Sequence, residues 1–389
     1  INVPRDYFCK IVDIEMPKVV RFAKPAPNHD DVSKAVSLVS SAKFPVILSG
    51  AGVVLSDAIP ECVELAERLD APVCCGYQHN DSFPGSHPLA AGPLGYNGSK
   101  AAMNLISKAD VVLALGTRLN PFSTLPCYGI DYWPNSAKVI QVDINPDRLG
   151  LSKKITLGIS ADAKTTVKEI LDRLEPNAGN TDRQARKKTI AETKSKWLQE
   201  LSSMDNEEDD PGTTWNIDAR TREPERMSPR MAWRAIQSAL PQNAIISSDI
   251  GNNCAIGNAY PSFEEGRKYL APGLFGPCGY GFPAIIGAKI ACPNVPVVGF
   301  AGDGAFGISM NEMTSCGRDD WPGITMVIFR NYQWGAEKRN TTLWYQNNFV
   351  GTELNQDFSY AKIAEGCGLK GVQVWSMEEL TNELRLSCD

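Results

Sequence analysis

Val295-Pro296-Val297-Val298-Gly299-Phe300-Ala301-Gly302-Asp303-Gly304 joins an apolar run to an acid set between two glycines. The apolar half predicts a buried strand, and the Gly-Asp-Gly turn then falls at that strand's carboxyl end, where open α/β sheets place their ligands. The flanking glycines allow backbone amides to approach an anion closely. The Asp303 carboxylate is a hard oxygen ligand, of the kind Mg²⁺ takes together with phosphate groups. Beyond it, Ser309-Met310-Asn311-Glu312 has the form of a capping box and predicts that the next helix begins there. A second apolar run, Ile324 to Phe329, ends at Arg330-Asn331-Tyr332-Gln333. Asn331 lies 28 residues after Asp303, the length of a crossover from one parallel strand end to the next, so both side chains can reach one ion.

The same rhythm extends upstream. Ser228-Pro229 opens a helical pattern to Leu240, followed by a strand at Ala244 to Ser248. Earlier still, Phe44 to Ser49 reads as a strand ending at Gly50-Ala51-Gly52, followed by a helix over Ile59 to Leu69. Apolar runs at Pro72 to Cys75, Val111 to Leu115 and Val139 to Val142 continue a βαβ pattern. The expected fold class is therefore α/β, with two doubly wound parallel-sheet domains joined by a charged linker. The expected boundaries are 1–8 for the tail of a preceding domain, 9–35 for a linker, 36–175 for a central domain, 176–226 for a second linker and 227–389 for a second α/β domain. The second linker holds a basic helical stretch, Arg183 to Lys196, read as a solvated face, and an acidic run, Asp205 to Asp210. Gly50-x-Gly52 lacks the third glycine of a dinucleotide fingerprint, since Leu55 stands there, and is read as a plain turn.

Composition narrows the function. The chain has 389 residues, 43% hydrophobic and 22% charged, which suits a soluble protein of two or three domains. No apolar run approaches the ~20 residues needed to span a bilayer, so no membrane role is expected. A net charge of -6 offers no basic stripe for a nucleic acid, and small-molecule substrates are expected instead. The 11 cysteines are scattered without a C-x-x-C, which fits reduced thiols in a cytoplasm.

Gly302-Asp303-Gly304 followed by Asn331 and Gln333 resembles the motif of the thiamine-diphosphate-dependent enzymes. That resemblance implies thiamine diphosphate with Mg²⁺, the metal held by Asp303, Asn331 and the Gln333 carbonyl. Members usually carry a second Asn immediately before the liganding one, where this chain has Arg330. The glycine-punctuated stretch Phe275-Gly276-Pro277-Cys278-Gly279-Tyr280-Gly281 resembles the family's thiazolium and aminopyrimidine loop. By that match the Gly276 carbonyl receives the aminopyrimidine and Cys278 holds the cofactor in its bent form. Asp249-Ile250-Gly251-Asn252-Asn253 resembles the diphosphate-contacting turn, although Asn252 and Asn253 also suit an ordinary turn. Gly50-Ala51-Gly52, His87-Pro88-Leu89 and Ala114-Leu115-Gly116-Thr117-Arg118 resemble the family's central domain.

Ile1-Asn2-Val3-Pro4 resembles the end of the pyrimidine-binding domain, which in this family supplies the activating glutamate. No catalytic side chain is therefore assigned within this chain, and truncation at the C-terminus is also expected. A homo-oligomer is implied for the full-length form, because the family's cofactor sits between two subunits. Gly307-Ile308-Ser309-Met310-Asn311-Glu312 and Gln333-Trp334-Gly335-Ala336-Glu337-Lys338 resemble a desulfonating branch of the family. The implied substrates are sulfoacetaldehyde and phosphate, and the products acetyl phosphate and sulfite. Lys338 and Arg339 are the local candidates for holding the substrate anions, or else are surface charges. An acetolactate-synthase-like carboligase, a 2-oxoacid decarboxylase, a non-catalytic cofactor-binding homologue and a nicotinamide-binding protein are the rival expectations.

Overall fold

In the computed structural model, residues 4–11, 13, 15, 18–20, 22–175, 182–205, 227–273, 275–318 and 320–388 are described. The expectations for residues 1–3 and for the acidic run beyond Asp205 lie outside them. Pro45–Ser49 (β1), Val73–Cys75 (β2), Ala90–Pro93 (β3), Val111–Leu115 (β4), Lys138–Asp143 (β5) and Leu157–Ser160 (β6) form one sheet. Its order is β3-β2-β1-β4-β5-β6, and every pairing is parallel. Every residue of β1 and β4 is buried, as a parallel strand covered on both faces requires. The covering helices include His29–Ser40, Ile59–Leu69, Lys100–Ile106 and Ala163–Arg173. The first of these starts at His29, with the Asn28 side chain accepting hydrogen bonds from the amides of Asp30 and Asp31.

The second sheet contains Ile245–Ser248 (β7), Tyr269–Leu270 (β8), Val297–Gly302 (β9) and Thr325–Phe329 (β10). Its order is β10-β9-β7-β8, again wholly parallel. The molecule is thus α/β with two parallel sheets, as the alternating pattern predicts. The short strands β3, β6 and β8 were not singled out by periodicity, because each is too short to show one.

Gly50 and Gly52 have a packing explanation. The Gly52 amide donates to the Gly116 carbonyl at 2.8 Å, and a Cβ on Gly52 would lie 2.5 Å from the Gly116 Cα. The turn after β1 is pressed against the turn after β4, which leaves its glycines committed to backbone approach and supports the plain-turn expectation over a dinucleotide site.

The basic stretch expected to be a solvated face lies in a long helix, Arg183–Asp205, that docks on both domains. Arg186 is buried, and its guanidinium donates to the carbonyls of Lys43, Leu69 and Asp70 at 2.7–2.9 Å. It satisfies the carbonyls at the end of the Ile59–Leu69 helix, where Asp70 is left-handed. Further along, Trp197 and Leu201 join the apolar cluster around Trp233 and Ile236. The sequence shows few apolar positions here, but Ile190, Trp197 and Leu201 face inward, while Leu198, Lys188 and Glu192 stay exposed.

The domains also meet through a buried polar seam. Asn80 donates through Nδ2 to the carbonyls of Asn258 and Pro261, each at 2.9 Å. Asp81 accepts from the amides of Lys268 and Tyr269, and the Asn258 side chain donates back to Leu94 and Tyr96. Burial holds the Asp81 carboxyl above the usual carboxylate range. No helix among the described residues is long and apolar enough to cross a membrane.

Candidate functional site

β9 runs straight into a helix, Asp303–Ser309, with Gly302 as its extended N-cap. The capping box at Ser309 does not start this helix. Met310–Glu312 is a 3₁₀ turn leading to Met313–Cys316, so the helix begins at the Gly-Asp-Gly turn itself. Extended Gly302 lets strand pass into helix without a loop, and Asp303 is held at the strand end, buried. Gly304 faces the Trp334 ring: a Cβ there would lie 2.9–3.0 Å from three ring atoms.

Both oxygens of Asp303 accept backbone hydrogen bonds, Oδ1 from Gly304 at 3.0 Å and Oδ2 from Tyr332 at 2.7 Å. The second bond crosses from β9 to the turn after β10 and brings the two strand ends together. Burial nevertheless raises the Asp303 carboxyl above its usual range, outweighing these amides. Such a group gains from a neighbouring cation. Asn331 faces the same region. Its Oδ1 accepts from the Gln333 amide at 3.3 Å, and a Cβ on Gly335 would lie 2.9 Å from Asn331 Nδ2 and 3.0 Å from Asn252 Nδ2. Asn331 and Asn252 therefore converge at the start of the helix Gly335–Trp344.

Asn253 is buried, and its Nδ2 has no hydrogen-bond partner. An orphaned buried amide next to Gly251 and Gly302 is what a site for an acceptor-rich ligand such as a diphosphate would present. No group of three or more His, Cys, Asp or Glu among the described residues is arranged around a metal, so a cation here would rest on Asp303 with neutral oxygens. The residues fit that demand: one buried carboxylate, one amide and exposed backbone at a turn.

The glycine-rich loop is tied to the same place by Asp249, which composition and spacing did not mark. This fully buried carboxylate accepts from the amides of Ile250, Gly279 and Gly281 at 2.7–3.1 Å. Burial raises its carboxyl as well. Gly276 takes a left-handed φ of 70°, which glycine adopts freely. Cys278 is exposed, and its thiol is raised by partial burial and then by the charges of Asp249 and Glu337. Nothing local to Gly279-x-Gly281 in the sequence points to Asp249 as the acceptor of its amides.

Lys338 Nζ donates to Gln333 Oε1 at 2.9 Å and to Glu353 Oε1 at 2.6 Å. Arg339 lies over the Tyr96 ring of the central domain, 4.8 Å from its centroid. The two residues thus point to different neighbours, one to the turn after β10 and one to the domain seam.

Residues 32–170 match the model of the thiamine pyrophosphate enzyme central domain, and residues 249–387 that of the C-terminal TPP binding domain of thiamine pyrophosphate enzymes. The chain is 71% identical to a probable sulfoacetaldehyde acetyltransferase of Rhizobium meliloti (strain 1021), over 99% of this chain and 65% of the relative. It is 46% identical to the sulfoacetaldehyde acetyltransferase of Castellaniella defragrans, over 100% of this chain and 65% of that protein. A probable acetolactate synthase large subunit of Methanocaldococcus jannaschii is 30% identical, over 99% of this chain and 63% of its own. The chain spans about 65% of the length of the first two of these relatives. With the central-domain and C-terminal-domain models matched in chain order over residues 32–170 and 249–387, the chain belongs to the thiamine pyrophosphate enzyme family.

Proposed function

We propose that this chain works in a thiamine-diphosphate-dependent desulfonating acetyltransferase, which converts sulfoacetaldehyde and phosphate to acetyl phosphate and sulfite. The observation that carries this reading is 71% identity across 99% of the chain to a protein of that name, against 30% to an acetolactate synthase. When bound, thiamine diphosphate supplies the nucleophilic carbon that makes cleavage beside a carbonyl accessible. Asp303, Asn331 and the Gln333 carbonyl would hold Mg²⁺, which would balance the buried Asp303 charge. Asn252, Asn253, Gly302 and Gly304 face the diphosphate, with the unpartnered Asn253 Nδ2 as one donor. The Gly276 carbonyl would accept from the aminopyrimidine and Cys278 would hold the cofactor in its bent form, both on the loop whose amides Asp249 gathers. Lys338 and Arg339 serve the substrate anions, and Lys338 would exchange its exposed partner Glu353 for them at little expense. No residue of this chain is assigned the role of activating the cofactor. Eleven free cysteines suit a reducing, cytoplasmic setting.

The test is made on protein of the relatives' full length, with sulfite read colorimetrically and acetyl phosphate trapped as its hydroxamate. Sulfite is expected from sulfoacetaldehyde only when phosphate is present. Acetolactate from pyruvate, without sulfite from sulfoacetaldehyde, would overturn the assignment in favour of a carboligase.

A further inference from the structure

We infer that Arg330 is the positioning residue of the cation-side turn: it clamps Tyr332 in a left-handed backbone conformation and thereby holds Asn331 and Gln333 against Asp303. The inference rests on the reading of Asp303 and Asn331 as Mg²⁺ ligands. It starts from a strained residue. Tyr332 has φ 59°, a region that brings an L-residue's Cβ against its own carbonyl and that glycine or asparagine normally fills. The amide of this same residue reaches Asp303 Oδ2 at 2.7 Å. Turn conformation and carboxylate orientation are therefore one degree of freedom, and something must keep Tyr332 from relaxing to negative φ.

Arg330 supplies the restraint. Its guanidinium carbon lies 4.5 Å from the Tyr332 ring centroid, 5.2 Å from that of Phe358 and 5.8 Å from that of Tyr360. Its Nη2 donates to the carbonyls of Gln356 and Phe358. A planar cation enclosed by three rings and two carbonyls has few alternative positions, which fixes the Tyr332 ring in turn. The enclosing segment is itself fastened to the site, because the Tyr360 hydroxyl donates to the Asp303 carbonyl at 2.8 Å. The Leu354 amide donates to the Tyr332 carbonyl at 2.9 Å and the Trp334 amide to the Thr352 carbonyl at 2.8 Å. One chain segment, residues 352–360, thus braces both strand ends, and Arg330 is the bolt between it and the turn.

The experiment titrates Mg²⁺ by calorimetry into full-length protein saturated with thiamine diphosphate, and records melting temperature for each variant. Arg330→Gln is expected to weaken Mg²⁺ by about tenfold, the scale of one lost cation–π and charge-assisted contact. Arg330→Lys, which keeps the charge and loses the plane, is expected to fall between, and it carries the test if the Gln variant does not fold. Tyr332→Gly removes the need for the clamp, so adding it to Arg330→Gln or to Arg330→Lys is expected to restore affinity to within about twofold of Tyr332→Gly alone. A purely structural arginine would not be rescued this way. Unchanged Mg²⁺ affinity in both Arg330 variants, or a loss that persists undiminished with Tyr332→Gly, would overturn the inference while leaving the Mg²⁺ site standing. Absence of saturable Mg²⁺ binding by the unsubstituted protein would overturn the site reading and the inference together.

Discussion

β1 in the central sheet and β10 in the second sheet are both five-residue apolar parallel strands, yet every residue of β1 is buried and every residue of β10 only half-buried. β1 has hydrogen-bonded neighbours on both sides, β2 and β4, whereas β10 is an edge with β9 alone beside it. The helix following β10, Gly335–Trp344, buries none of its residues. The central sheet thus covers β1 on both sides, whereas in the second sheet β9 is buried and only the β10 edge beside the gathered polar groups stays half-open. Stability and ligand chemistry are separated between the two sheets, and substitutions should show that separation.

The largest effect is expected at the chemical end. Asp303→Ala should reduce Mg²⁺-dependent thiamine diphosphate affinity by about a thousandfold, because it removes the carboxylate proposed as the cation's ligand. Calorimetry on full-length protein reads this, and affinity within a few-fold of the unsubstituted protein would mean the metal lies elsewhere. The same residue predicts a pH dependence. Its folded carboxyl is raised by burial, so the proton's contribution to stability is present at low pH and is lost as pH rises through the raised value. At neutral pH the buried charge destabilises the protein until a cation balances it. The rise in Tm on adding Mg²⁺ and thiamine diphosphate should therefore be largest near neutrality and shrink as pH falls toward that range.

A change confined to the other region should leave binding alone. Arg186→Met keeps an apolar stem but strands the carbonyls of Lys43, Leu69 and Asp70, and is expected to lower stability by about 3 kcal/mol. Mg²⁺ affinity should stay unchanged, since none of those bonds reaches the ends of β9 or β10. Urea denaturation beside calorimetry separates the two outcomes, and a loss of affinity would mean that the regions are coupled.

The smallest effects sharpen the contrast at constant chemistry. Ile47→Val in β1 is expected to lose about 1 to 1.5 kcal/mol, and Ile328→Val in β10 about 0.5 kcal/mol, because only Ile47 is enclosed on all sides. Equal losses would show that the edge strand is covered in the folded protein as fully as the central one.

Much of this architecture was readable before any coordinates. The apolar runs predicted β1, β4, β5, β7, β9 and β10 to within a few residues, since a buried strand must be apolar wherever it lies. That the strand ends bearing Asp303 and Asn331 lie side by side was also readable, because a parallel crossover constrains the separation of adjacent strand ends. The capping box at Ser309 misled because it satisfies a local rule, whereas the helix start was decided by Gly302 passing directly from strand to helix. The role of Asp249 is not legible locally, because it accepts from the amides of Gly279 and Gly281, 30 and 32 residues along the chain.

By itself the sequence determined the alternation of strand and helix, the two-sheet organisation and the residue types available for a diphosphate and a divalent cation. These follow from periodicity and turn chemistry, which act over a few neighbouring residues. Only the tertiary structure decided that Arg186 is buried as the cap of a helix more than a hundred residues earlier, that Gly52 is needed for contact with Gly116, and that Arg330 is enclosed by Phe358 and Tyr360. The reason is physical: whether a charged or glycine residue faces water or a partner depends on which distant surface folds against it, and no local pattern carries that information.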